Sequence, residues 1–250
     1  ALGAEKMAPY VDRLSQIATC YVSAHPNAGL PNPFGEYDQT PEQMAQEVAP
    51  FVEGAWINVI GGCCGSTPSH IAAIGDLIAN KPVRKKAKAQ GYAQLSNLEP
   101  LSITKDLNFI NIGERCNATG SKRFLKLLQQ EDFGQAVQVA NLQVEGGAQM
   151  IDVNVDEAMI DGPKTMAKLL NYLASEPLAS KVPVVLDSSK WEVLEVGLKH
   201  IQGKGIVNSI SLKEGEEAFV AQAKTILRYG AAVIVMAFDE EGQADTKARK

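Results

Sequence analysis

Short apolar runs alternate along this chain with longer segments of helical periodicity, and each run ends in polar residues. From residue 107 onward the strand-like runs are 107–112, 150–154, 182–186, 205–210 and 231–237. Helical patterns lie between them at 123–130 with 134–146, 164–174, 191–199 and 214–229. Such alternation builds βαβ units and a parallel sheet. The near-continuous apolarity of the runs indicates strands covered on both faces.

The polar residues recur at one end of the runs. They are Glu114, Arg115, Cys116 and Asn117 after the first, and Asp152, Asn154 and Asp156 in and after the second. Asp187, Ser188 and Ser189 follow the third; Asn208, Ser209 and Ser211 belong to the fourth, and Asp239 and Glu240 to the fifth. Asp152 and Asn154 are two apart and so point to the same side of a sheet. Apolar strand bodies with polar carboxyl ends describe the active-site face of a (β/α)8 barrel. A doubly wound sheet is the alternative, but it normally carries a glycine fingerprint after its first strand, and none is present. Asp187, Ser188 and Ser189 are also competent helix caps; repetition from strand to strand favours a site for a flat, hydrogen-bonding ligand.

The first third has the same rhythm in weaker form. A helix is expected at 5–18, a strand at 20–24, a helix opening at Thr40-Pro41-Glu42, a strand at 56–60 and a helix at 69–79. Residues 81–106 interrupt the rhythm. Their basic stretch 81–88 lacks apolar periodicity and reads as a solvated interdomain linker rather than an anion-binding patch. The expected organisation is therefore one domain at 1–80, a linker at 81–106 and a second domain at 107–250, and the fold class is α/β with two tandem (β/α)8 barrels, each only partly covered.

The strand at 56–60 runs into Gly61-Gly62-Cys63-Cys64-Gly65-Ser66-Thr67-Pro68, where Ser66 or Thr67 caps a helix and Pro68 takes its first position. Two thiolates at a strand end suit a soft divalent metal, zinc above all. Small buried apolar residues, or a vicinal disulfide, are the competing readings. Four cysteines in 250 residues do not make a disulfide framework and fit a reducing cytoplasm. A net charge of −5 argues against nucleic acid, and the longest apolar stretch, 229–238, is far short of a membrane span. The stretch 242–250 reads as the opening of a helix, and the chain as a piece of a longer protein.

Four stretches, 109–117, 147–154, 186–189 and 206–211, resemble the pterin-binding barrel of dihydropteroate synthases and methyltetrahydrofolate:corrinoid methyltransferases. The stretch 61–68 is similar to the end of the zinc-dependent homocysteine methyltransferase barrel, which also occurs in betaine–homocysteine methyltransferase. Joined in this order they resemble the cobalamin-dependent enzymes that methylate homocysteine. The resemblance implies methyl transfer from 5-methyltetrahydrofolate, through methylcobalamin on a domain outside this chain, to zinc-activated homocysteine. It gives Cys63 and Cys64 as zinc ligands, with a third cysteine falling before Ala1. It gives Asp187 and Asn208 as partners of the pterin edge, with Glu114, Asn117, Gly120, Ser121, Asp152 and Asn154 at the same mouth. The family's asparagine beside pterin N5 would lie beyond Lys250, so the isolated chain is expected to lack turnover. The alternatives are a dihydropteroate synthase-like transferase with an unrelated N-terminal extension, or a non-catalytic pterin-binding module.

Overall fold

A computed structural model of the chain describes residues 2–89 and 91–248. The chain divides into two compact units between Gly91 and Tyr92.

Unit 1 is helical with one short parallel strand pair. α1 (Ala4–Ile17) leads to β1 (Ser23–Ala24), α2 (Pro41–Glu53), β2 (Val59–Ile60) and α3 (Pro68–Ile78). β1 and β2 pair in parallel, Ser23 with Val59 and Ala24 with Ile60. Thr40 caps α2 in a capping box with Gln43, and Pro41 occupies the first turn, as the sequence indicates. Val11, Val22, Val48, Phe51 and Ile57 form the core. The strands are shorter than their apolar runs because side chains replace ladder bonds. Asn58 Oδ1 accepts the N–H of Val22 at 3.0 Å, and its Nδ2 donates to the carbonyl of Arg84 at 2.8 Å.

Arg84 corrects the reading of 81–88 as wholly solvated, because it is only 4% exposed. Its guanidinium donates to the carbonyls of Ser15 (3.0 Å), Cys20 (2.9 Å) and Ala18. The Ser15 and Ala18 carbonyls lie at the C-terminal end of α1, beyond the reach of its helical ladder, where a cation also suits the helix dipole; the Ala18 carbonyl accepts the Ala87 N–H as well, at 3.1 Å.

Unit 2 begins with a hairpin, β3 (Ala93–Ser96) and β4 (Pro100–Ile103), inside the segment expected as linker. Gln90, in the same segment, lies outside the described residues. The parallel strands follow: β5 (Ile112–Asn117), β6 (Met150–Asn154), β7 (Val184–Asp187), β8 (Ile206–Ile210) and β9 (Ala232–Val235). They form one sheet in the order β5-β6-β7-β8-β9. This order follows the chain without reversal, so the sheet has no switch point of the doubly wound kind; it is part of a TIM barrel. Crossovers carry α4 (Lys122–Gln129) and α5 (Phe133–Glu145), α6 (Gly162–Ser175), α7 (Trp191–His200) and α8 (Glu216–Arg228).

Alternation along the strands sorts the side chains. Ile151, Val153, Val184, Leu186 and Val207 join the helices in the main core. Met150 and Val185, on the other face, pack with Leu95, Leu101, Ile103 and Ile206. The hairpin thus lies against the amino-terminal end of the inner face, and Asp152, Asn154, Asp187 and Asn208 continue that face toward the carboxyl ends. β9 is the sheet edge and exposes Val235 at 55%. Beyond it the expected helix opening at 242–250 does not form over 242–248. β10 (Phe238–Asp239) pairs antiparallel with β11 (Gly242–Gln243) instead, across a turn in which Gly242 takes φ +118. Arg249 and Lys250 lie outside the described residues.

Candidate functional site

In unit 2 four polar residues stand level across adjacent strands. Asn117 pairs with Asn154, Asn154 with Asp187, and Asp187 with Asn208. Neighbouring strands are about 4.8 Å apart, so the row offers amide, amide, carboxylate and amide at close, regular spacing. Asn154 Nδ2 donates to Asp187 Oδ2 at 2.9 Å, while its Oδ1 accepts the N–H of Asp156 at 2.8 Å. These bonds fix which way the Asn154 amide faces. The Asn208 side chain, by contrast, makes no hydrogen bond among the described residues and is free to donate and accept.

Asp152 sits one inward position below Asn154. It is 5% exposed and makes no hydrogen bond among the described residues. Burial first, and then the charges of Asp187 and Glu114, push its carboxyl up to about 7. Asp187 is also raised, chiefly by burial, with Asp156 and Glu114 adding to the effect and the Asn154 hydrogen bond opposing it. Cys116, on β5 and buried in the main core, is pushed up to about 12 by burial, which makes it an inert thiol.

Glu114 and Asn117 do not lie past the first strand, as expected, but within it. The run 107–111 stays outside the ladder, which begins at Ile112 and shifts register between Gly113 and Cys116. Gln143 on α5 closes this bulge. Its Oε1 accepts the N–H of Arg115 at 2.6 Å, and a Cβ on Gly113 would stand 2.7 Å from the same oxygen. Asn117 turns its side chain to the following loop, with Oδ1 accepting from Thr119 Oγ1 (2.7 Å) and the N–H of Gly120 (2.9 Å). Ser121 Oγ caps α4 through Phe124 N–H at 3.3 Å. Gly120 and Ser121 therefore form an ordered turn beside the row, with the amides of both and the Ser121 hydroxyl committed to it.

The Ser188 and Ser189 hydroxyls bind not the α7 terminus alone but the carboxylate of Asp156, at 2.6 and 2.8 Å. A cavity of about 360 Å3 lined by Ser188, Ser189, Trp191, Ser209, Ser211 and Lys213 includes none of the inward row.

In unit 1 Cys63 and Cys64 are exposed free thiols with their sulfurs 3.9 Å apart. They are neither buried apolar fillers nor a vicinal disulfide. The turn that presents them is laced to the loop after β1. Cys63 N–H donates to the carbonyl of Pro26 at 2.8 Å, and Cys64 N–H to Asn27 Oδ1 at 3.2 Å. Tyr37 lies across Gly65, where φ is +78 and a Cβ would meet the ring at 2.3 Å, so only glycine fits. Burial first, and then the neighbouring Cys64 and Cys63, hold the Tyr37 hydroxyl above its ordinary range. His70 accepts Thr67 N–H at Nδ1 (3.2 Å) and donates from Nε2 to the carbonyl of Gln39 (2.8 Å), which ties that loop down. Among the described residues no group of three or more His, Cys, Asp or Glu is placed to hold a metal. Asn27 and Tyr37 were not singled out from sequence; no periodicity or spacing marks them.

Residues 113–250 match the family model for pterin binding enzymes, and the chain belongs to that family. Residues 1–78 match the family model for homocysteine S-methyltransferases. The two matches, in this order, are those of a methionine synthase fragment spanning both domains. The class is therefore that of enzymes of folate and homocysteine methyl transfer. No helix among the described residues is long and apolar enough to cross a membrane.

Proposed function

We propose that the chain carries the homocysteine-activating and pterin-binding parts of a cobalamin-dependent methionine synthase. The reaction is methyl transfer from 5-methyltetrahydrofolate, by way of cobalamin on another domain of the same protein, to zinc-activated homocysteine; methionine and tetrahydrofolate are the products. Residues 1–80 are the later part of the homocysteine barrel, 81–106 the connection, and 107–250 the earlier part of the pterin barrel. One observation carries the reading. The level row Asn154, Asp187 and Asn208 offers a donor–acceptor set to a flat heterocycle, in a chain that also presents two adjacent free thiols.

A pterin edge carries a ring N–H beside an exocyclic amino group. Asp187 accepts from both, because an ionised carboxylate has two oxygens and about four acceptor sites. Asn154 already occupies one of these and sets the carboxylate plane. Asn208 donates to and accepts from the neighbouring ring positions. Asp152, pushed up to about 7, shares its proton with solvent beneath the ring at neutral pH rather than being fully ionised. Glu114, Asn117, Gly120 and Ser121 border the mouth.

Cys63 and Cys64 would hold the zinc, together with a donor outside the described residues. Their 3.9 Å separation suits two corners of a tetrahedron, whose edge is about 3.8 Å for Zn–S bonds of about 2.3 Å. Zinc supplies a Lewis-acid position where a substrate thiol gives up its proton at neutral pH. The Pro26 and Asn27 bonds hold the two sulfurs side by side, and the reducing cytoplasm keeps them unoxidised.

The test is transfer of a labelled methyl group in the whole protein. Label is expected to pass from 5-methyltetrahydrofolate to methionine only with cobalamin present, and to stop in Cys63→Ser and Asp187→Ala. Transfer to homocysteine without cobalamin, or condensation of a pterin with p-aminobenzoate instead, would contradict the reading.

A further inference from the structure

The rim of unit 2 contains a closed circuit of hydrogen bonds around Asp187. Asn154 binds the Asp156 N–H with one end of its amide (2.8 Å) and Asp187 Oδ2 with the other (2.9 Å). The Asp156 carboxylate then reaches from the end of β6 to the end of β7. Its Oδ1 accepts Ser188 Oγ–H at 2.6 Å, and its Oδ2 accepts Ser189 N–H at 2.7 Å and Ser189 Oγ–H at 2.8 Å. Ser188 passes the constraint on, with its Oγ accepting Lys190 N–H at 3.0 Å and its N–H donating to the carbonyl of Asn208 at 3.1 Å. Ser188 is 4% exposed.

Asp156 does not act as the cap of the helix that follows it. Asp161 fills that role for α6, accepting Lys164 N–H at 3.2 Å. Three short hydrogen bonds to one ionised carboxylate are also stronger than neutral ones. Spent across two strand ends, they fix the backbone immediately after Asp187 rather than a helix terminus.

We propose that Asp156 is a positioning residue for pterin recognition: by clamping Ser188 and Ser189 it sets the orientation of the Asp187 carboxylate and its spacing from Asn208. The inference rests on reading Asp187 as the acceptor of the pterin edge. Asp156 itself faces its serines, not the ligand.

A charge effect separates this role from simple support of the fold. Among the described residues the charges that act on Asp187 are Asp152 and Asp156 from the β6 side and Glu114 from β5; from β8 the neighbour is the neutral Asn208. Asp156 adds to the burial that raises Asp187. Pterin binding needs Asp187 ionised, so affinity falls as pH drops through its pKa. Removing the Asp156 charge lowers that pKa and moves the acid limb of binding to lower pH.

The experiment is equilibrium titration of the whole protein with 5-methyltetrahydrofolate across pH, comparing wild type, Asp156→Asn, the Ser188→Ala/Ser189→Ala pair, and Asp187→Ala. Asp156→Asn is expected to weaken binding about tenfold at pH 8, the loss of a net hydrogen bond or two to a charged group, and to shift the acid limb to lower pH. The serine pair is expected to weaken binding similarly while leaving the acid limb in place, since the charge remains. If Asp156→Asn fails to fold, the serine pair carries the test of the clamp. Unchanged affinity in Asp156→Asn or the serine pair, with Asp187→Ala clearly weakened, overturns this inference and leaves the site reading intact. Wild-type affinity in Asp187→Ala removes the site reading, and this inference with it.

Discussion

The two proposed sites, one in each unit, are built by opposite means. In unit 1 the chemistry sits on an exposed turn at the end of a two-residue strand, and two thiols wait side by side with no third donor among the described residues. In unit 2 it sits on the inner face of a five-stranded sheet, where Asn154 is already hydrogen-bonded to both Asp187 and Asp156. A soft metal brings most of the binding free energy of its own site, so the protein needs only to hold thiolates close together. A pterin brings several weak hydrogen bonds, and these amount to affinity only if the partners are placed beforehand. Exposure is tolerable in the first case. In the second, burial raises the carboxyls and makes their charge state part of the design.

The largest expected effect falls on unit 1. Cys63→Ser with Cys64→Ser should take bound zinc from near one per chain to near zero by elemental analysis, with pterin affinity changed less than about twofold, since additivity holds for sites without shared partners. A fall in pterin affinity would break the separation of the two sites. Next, Arg84→Ala removes the guanidinium's bonds to the Ser15, Ala18 and Cys20 carbonyls and should destabilise unit 1 by about 3 kcal/mol. Hydrogen exchange should show faster opening in α1 and β1, with β6 and β7 unaffected. Asp187→Ala should weaken 5-methyltetrahydrofolate binding about 100-fold, or roughly 2.7 kcal/mol, and leave zinc content untouched.

The smallest effect sharpens the contrast in charge. The folded chain holds the Asp152 proton more tightly than an unfolded aspartate does. The stabilisation this gives is complete below about pH 4 and is lost as pH rises through about 7. Asp152→Asn should therefore flatten the decline of unit 2 stability between pH 5 and 8. At pH 8 it should exceed wild type by about 1–2 kcal/mol in urea melts, after allowance for solvent screening. A variant that tracks wild type at both pH values would show that Asp152 is ionised without cost.

The parallel sheet was legible because strand interiors covered on both faces read as apolar runs, and the inward pairing of Asp152 with Asn154 follows from strand periodicity alone. What escaped depends on partners distant in sequence. The start of β5 was misplaced because Gln143, on α5, decides where the bulge falls. The hairpin at 93–103 looked like linker because its Leu95, Leu101 and Ile103 gain meaning only against Met150 and Val185. Arg84 sat in a basic run and read as solvated, yet it is buried on carbonyls more than sixty residues away. Asp156 was visible as a strand-end acid, but its serines lie over thirty residues on. Long-range hydrogen bonds of single side chains leave no periodic trace, and the clamp around Asp187 consists of little else.

The most direct test of the account is a structure of the protein with tetrahydrofolate bound. The pterin should lie on the inner face of the β6–β8 sheet, with its ring N–H and exocyclic amino group on Asp187 and its adjoining edge on Asn208. A pterin bound in the serine-lined cavity at Trp191 and Ser211, or anywhere that leaves Asp187 and Asn208 without a ligand contact, would contradict it.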